Sequence, residues 1–396
     1  MKFYYILPIF LLSASLLFLS CSDEPSSLGI ELIGSDYILV RTYDSVNDTI
    51  NQNSSFQRRV IPLGNSDWIL IGRYQSAEQN IEASSLIKFI FGLADSLKND
   101  VNANNINVLD SWIELRNRYI YVDTLGTMNF TVHKVNSFWS STAFTIDSLS
   151  KLQYDMNDVS SDFLISDSTY SFHIDEDLSL GWMKNSANNT VESNFGIYLQ
   201  PTMSSSKVVG FQALTPLSSQ AAKLTVVIEK PGVYIDTING FIAADISLVD
   251  GPLPTLAPGF MSVQSSVSIN SKLTFDIGVL PPGLVINKAE IFITSDSINS
   301  VKGSSFNNSL RIFYLKSTDS TLIEGNPVSL LSANNQYSGD ITSFVRNWVS
   351  RDENFGILIE AGNPILGLDL FVLRGSDYSV ISERPRLRIT YTQQKN

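Results

Sequence analysis

The sequence predicts an all-β protein made of two similar β-sandwiches in tandem, each carrying one short helix. Two observations predict it. Short β-branched and aromatic runs alternate with Asn-, Ser-, Asp- and Gly-rich connections along most of the chain. Five segments of the first half also recur, in the same order, in the second half.

The strand runs include Ile38-Leu39-Val40, Trp68 to Ile71, Ile113 to Arg116, Phe130 to His133 and Leu224 to Ile228. Residues of this kind fit a pleated, half-buried surface, and the polar clusters between them supply turn chemistry. Among the recurrences, Asn194-Phe195-Gly196-Ile197 returns as Asn354-Phe355-Gly356-Ile357. Ala222 to Val226 returns as Pro385 to Ile389, and Ser85 to Phe89 as Ser271 to Phe275. Phe130 to Val135 returns as Leu310 to Leu315, and Asp110 to Leu115 aligns with Asn287 to Phe292. A helix precedes each Asn-Phe-Gly strand. Ile341, Phe344, Val345 and Trp348 form one helical stripe behind a cap at Asp340 or Thr342; Ile174, Leu178 and Trp182 form the other, ending near Asn188. The break between copies is expected at Lys230-Pro231-Gly232, because Pro cannot continue a strand ladder. The expected sandwiches are therefore 35–230, with an insertion near 137–171, and 233–396.

The N-terminus reads as a bacterial lipoprotein signal peptide over residues 1–20. Lys2 is followed by an apolar stretch ending Leu17-Phe18-Leu19-Ser20, and then by Cys21, the one cysteine of the chain. Thioether lipidation needs a thiol and the signal peptidase needs a small residue before it. Residues 21–34 then form an acidic tether, Cys21-Ser22-Asp23-Glu24 opening it. Cys21 is thus the expected lipidation site, with the membrane as partner through the lipid. With a single cysteine no disulfide within the chain is available, so stability must come from core burial. The net charge of −12 argues against nucleic acid, whose phosphates need Lys and Arg.

From Pro258 to Thr392 the order of motifs is a Leu-x-Phe strand, Ala289-Glu290-Ile291-Phe292-Ile293, the Ile341 to Trp348 helix, the Asn354-Phe355-Gly356 strand and Glu383 to Tyr391. This order resembles the DNRLRE domain, a jelly-roll related to a carbohydrate-binding-module type; the first copy resembles it more loosely and lacks the Arg-Pro-Arg of its end. The N-terminal stretch, with Leu28-Gly29-Ile30-Glu31-Leu32, resembles Gram-negative surface lipoproteins. The resemblance implies a non-catalytic role at the outer face of the outer membrane, in glycan binding or adhesion. The alternative is a structural, protein-binding subunit of an envelope assembly.

Chemistry-bearing residues are sparse. The two histidines, His133 and His173, are not clustered with other ligands, and no nucleophile motif is present, so an enzyme is not expected. For a glycan platform the candidates are Trp139, Tyr154 and Tyr170, since residues of an insertion need not serve the core; otherwise they pack the insertion onto the sheet. No cofactor is expected beyond a structural calcium, for which Asp155, Asp158 and Asp162 are the candidate ligands. Asp-Ser/Thr-apolar triplets, such as Asp44-Ser45-Val46, Asp236-Thr237-Ile238 and Asp296-Ser297-Ile298, look like O-glycosylation acceptors and equally suit Asx turns entering strands.

Overall fold

The computed structural model describes residues 38–394 apart from 49, 65, 123–124, 167, 191, 215–220, 320–321 and 352. The signal peptide, Cys21 and the 21–34 tether lie outside the described residues. The chain is mostly β, in two extended sheets with a sandwich-like arrangement, and the five strand runs named above all fall within strands.

In chain order the strands are β1 (Ile38–Asp44), β2 (Gln52–Arg58), β3 (Trp68–Gln75), β4 (Asn80–Phe91), β5 (Asn107–Tyr121), β6 (Phe130–Lys134), β7 (Ser160–Ile165), β8 (Thr169–Ile174), β9 (Ile197–Pro201), β10 (Val208–Gln212), β11 (Lys223–Lys230) and β12 (Tyr234–Asp250). They continue as β13 (Phe260–Gln264), β14 (Ile269–Phe275), β15 (Val285–Thr294), β16 (Leu310–Leu315), β17 (Ile323–Ala333), β18 (Gln336–Asp340), β19 (Ile357–Ala361), β20 (Leu370–Arg374) and β21 (Arg386–Gln394). The α-helices are α1 (Asp95–Asn102), α2 (Glu176–Ala187) and α3 (Thr342–Arg351).

Strands β3 to β12 make a ten-stranded sheet, and β13 to β21 with β1 and β2 make an eleven-stranded one. Each sheet wraps its own hydrophobic cluster. The first contains Ile71, Phe89, Phe172, Trp182 and Val226; the second contains Leu273, Phe275, Trp348, Ile359 and Ile389. Trp182 and Trp348 are thus core, as their place in an apolar stripe predicts. Asp175 caps α2, accepting from the Asp177 N–H, and Asp340 accepts from the Thr342 N–H at the start of α3.

The recurring Asn-Phe-Gly segments have the same geometry in both sheets. The Asn194 amide donates to the Phe89 carbonyl at 2.7 Å and accepts from the Gly196 N–H at 3.0 Å. The Asn354 amide donates to the Phe275 carbonyl at 2.6 Å and accepts from the Gly356 N–H at 3.1 Å. Each glycine takes a left-handed φ, +77° and +88°, against the backbone of β4 or β14, where a Cβ has no room. Ladder registers match too: Val132 faces Leu199 as Ile312 faces Ile359. One alignment needs shifting by a residue. Leu224 faces Ile113 and Leu387 faces Ile291, so Ile113 corresponds to Ile291 rather than to Glu290. Strand side chains alternate faces, and the unshifted alignment would set a glutamate in the core.

Strand pairing does not follow the boundary at 230–233. β1 forms a full antiparallel ladder with the last strand, β21, and β2 does the same with β14. β12, which follows the expected boundary, pairs with β11 and β4 of the ten-stranded sheet. Each sheet is therefore completed by strands that the sequence places with the other. The hairpin reason is local: β11 turns straight into β12 through residues 231–233, and an antiparallel return is the short route. The two displaced segments also meet, Arg58 of β2 pairing with Asp250 of β12 at 2.6 Å and donating to the Val249 carbonyl at 3.0 Å. A third cluster seals the sheets together around Tyr119, Tyr121, Val249, Ile269 and Leu368, with the Leu368 N–H donating to the Tyr119 hydroxyl at 2.9 Å.

Candidate functional site

The aromatic residues expected to form a glycan platform do not form one. Trp139 is only 8% exposed, and its indole N–H donates to the Phe195 carbonyl at 2.7 Å. With Phe144, Leu149 and Leu152 it packs residues 139–152 onto Leu86, Tyr198 and Ile246 of the sheet below. Tyr170, on β8, is 5% exposed in the first core, its ring edge-on to Phe211; burial pushes its phenol above the ordinary value. Tyr154 is half-buried, its ring against Tyr198 and His133. The insertion is largely apolar on its inner side, so burial of that surface overrides its loop-like composition.

The three candidate calcium ligands do not converge either. Asp158 is committed to the Val132 and Ser160 N–H groups and the Ser160 hydroxyl, and Asp155 to the Asn136 amide. Asp162 sits on the exposed strand β7. Among the described residues no group of three His, Cys, Asp or Glu is placed to hold an ion. His133 is buried and bonded to Thr131 and Asn157, and His173 pairs with Asp110 at 2.7 Å. Of the Asp-Ser/Thr triplets, Ser45 is buried at the β1–β21 ladder, whereas Ser96, Thr237 and Ser297 are exposed. Asp296 accepts from the Ile298 N–H two residues on, as an Asx turn requires, and from the Asn299 N–H, whereas Asp236 accepts only from the adjacent Thr237 N–H.

A cleft of about 770 Å³ lies elsewhere, at one end of the eleven-stranded sheet. One wall is the start of β2 (Asn51, Gln52, Asn53); another is the end of β14 and the turn through Pro281, Pro282 and Gly283; α3 contributes Trp348 and Val349, and Asn354 closes it. The turn is built locally. Asp276 accepts from the Gly278 N–H and donates its own N–H to the Asn51 carbonyl at 2.8 Å, tying the turn to the β2 wall. Two buried polar atoms on this cleft have no hydrogen-bond partner within the protein: the Trp348 indole N–H, on a side chain 1% exposed, and the Gln52 Oε1. Leaving such a donor and acceptor unpaired costs about 1–3 kcal/mol each, so they are either strained or complemented by something bound. Among the described residues lining the cleft, Asp276 is the one ionisable side chain.

The corresponding place on the ten-stranded sheet is only partly occupied, leaving a smaller cleft of about 550 Å³ between the end of β4, α1 and the start of β12. There α1 follows the end of β4, buries Val101 in the core, packs on α2, and is pinned by Lys230 to Asp100 at 2.7 Å. The sequence reading missed α1, although Leu97 and Val101 stand at helical spacing. It also missed the cleft, because β2 and α3 are brought together only by the pairing of β2 with β14. No protein-family model matches the chain, and no curated protein matches it either.

Proposed function

We propose that the chain is a non-catalytic lipoprotein of the outer membrane, acylated at Cys21 and displayed at the cell surface, that presents two tandem jelly-roll-like sandwiches and binds a neutral, hydroxyl-bearing glycan in the cleft beside Trp348. The observation that carries the binding reading is the pair of unpartnered atoms there, the Trp348 N–H donor and the Gln52 acceptor. Sugar hydroxyls both accept and donate, and so offer a partner to each. The amide-rich walls (Asn51, Asn53, Asn354) suit further hydroxyls, and Leu280, Pro281 and Pro282 offer apolar surface to a ring face. The repeated Asn-Phe-Gly geometry supports the tandem reading, with β1–β2 and β12 exchanged between the units.

A glycan array probed with the full mature chain tests the reading. Binding should appear for one class of neutral glycan and fall at least tenfold in Gln52→Ala and Trp348→Phe; equal binding by both variants places the ligand elsewhere. Protease shaving of intact cells tests surface display, and full protection removes it.

A second reading, a protein-binding envelope subunit, is favoured by β7. This strand ends the ten-stranded sheet, paired on one side to β8, and presents Leu164 (71% exposed) beside Phe163 and Ile165. Exposed apolar edges are sites of strand addition. Leu164→Lys should leave stability within about 0.5 kcal/mol of wild type while abolishing co-purification of a protein partner.

A further inference from the structure

Residues 38–58 stand apart from the sheet they complete: they are joined to the rest of the eleven-stranded sheet only through the whole of the ten-stranded one. Their contacts with it are dense. β1 and β2 each make a seven-residue ladder, to β21 and β14. At the end of β1, the Asp44 carboxylate accepts from Arg386 Nε at 2.9 and 2.8 Å and meets its Nη2 as well. Burial pulls the Asp44 carboxyl up, but the Arg386 bonds, the Val46 N–H and the Arg388 charge outweigh it, and the group titrates below its ordinary value. Ser45 exchanges two bonds with Leu387, and Ser54 exchanges bonds with Ser376. Between the two strands Ile50 enters the second core, and Tyr43 and Phe56 pack against it. The next residues, Asn51 to Asn53, are a wall of the cleft.

We propose that residues 38–58 are a latch. The cleft exists only while β1 and β2 are docked, because they supply one wall and the carbonyl that holds the Asp276 turn. Docking of the latch and order of the cleft are therefore one equilibrium, and whatever binds the cleft holds the latch shut. The chain that enters the latch at Ile38 comes from the tether, so on the proposed lipid anchoring a pull on the anchor is a pull on the latch; that last step rests on the function proposed above, whereas the latch itself does not.

Hydrogen exchange on the full chain, without ligand, tests it. In Asp44→Ala the amides of 38–58 should exchange at least tenfold faster, and those of 276–283 and 348–354 should accelerate by the same factor, while β11 (223–230) is unchanged. In Ser54→Cys/Ser376→Cys, whose parent hydroxyl oxygens lie 3.1 Å apart, oxidation to the disulfide should slow exchange at 38–58 and at the cleft together, relative to the reduced form. Acceleration of 38–58 with wild-type protection of the cleft, or a clamp that protects one and not the other, overturns the proposal. If Asp44→Ala fails to fold, the clamp alone decides. An array without hits would remove the glycan reading and leave this result standing.

Discussion

Gly356→Ala and Gly232→Ala separate two costs that are usually merged. Both glycines have positive φ, +88° and +72°. At Gly232, in the turn between β11 and β12, a Cβ meets nothing within 4 Å, so alanine brings only the left-handed backbone cost, about 1 kcal/mol. At Gly356 the Cβ would lie inside 3.0 Å of the Leu273 carbonyl oxygen and of the Thr274 methyl. Relief requires β19 to move from β14, adding about 1–3 kcal/mol as for other overpacked sites. The expected loss is therefore about 2–4 kcal/mol for Gly356→Ala against about 1 kcal/mol for Gly232→Ala. Gly196→Ala, whose Cβ would strike the Ile87 carbonyl, should lose as much as Gly356→Ala. Urea unfolding followed by circular dichroism measures all three, with the midpoint shift converted through the common slope. Equal losses at 232 and 356, within 0.5 kcal/mol, would show that strand packing at the Asn-Phe-Gly turn is not what demands glycine.

Three further outcomes are expected. Burial pushes the Asp245 carboxyl from 3.8 up to about 6, with one hydrogen bond, from the Leu214 N–H, opposing it. The folded state then binds this proton more tightly than the unfolded chain, so the contribution of Asp245 is fully present below pH 4 and is lost as pH rises through about 6, about 3 kcal/mol in all; Asp245→Asn should remove that component, read as the difference between wild-type and variant urea midpoints at pH 4, 5 and 7. Trp139→Phe strands the Phe195 carbonyl and should cost about 1–3 kcal/mol by thermal unfolding, with glycan binding unchanged because the residue faces inward. Asn354→Ala removes two bonds made within the second core's rim and should destabilise by about 2 kcal/mol, with Asn194→Ala matching it.

Much of this fold is legible in local chemistry. The Asn-Phe-Gly segments carry their own instructions: an amide that turns back on the chain, and a glycine free to take positive φ. The Ile341 to Trp348 stripe is a helix at its own period, and Trp182 and Trp348 are core for the same reason. The candidate site was less legible. By sequence Trp139 and Tyr170 belong to an insertion, but Trp139 packs its apolar side against the sheet and Tyr170 lies in the first core. The cleft could not be read at all, since Gln52 and Trp348 are almost three hundred positions apart and neither carries a motif.

The amino-acid sequence by itself determined that the chain is β, that the Asn-Phe-Gly segment recurs, and where two of its helices lie, because those depend on neighbours within a few positions; α1 was not among them, and Ile174, expected in a helical stripe, ends strand β8. Which strand finishes which sheet was decided only in the tertiary structure. The choice falls to a short local hairpin from β11 to β12 and to two contacts that no local pattern encodes, the Asp44–Arg386 pair and the Arg58–Asp250 clasp. The cleft beside Trp348 is a product of that choice.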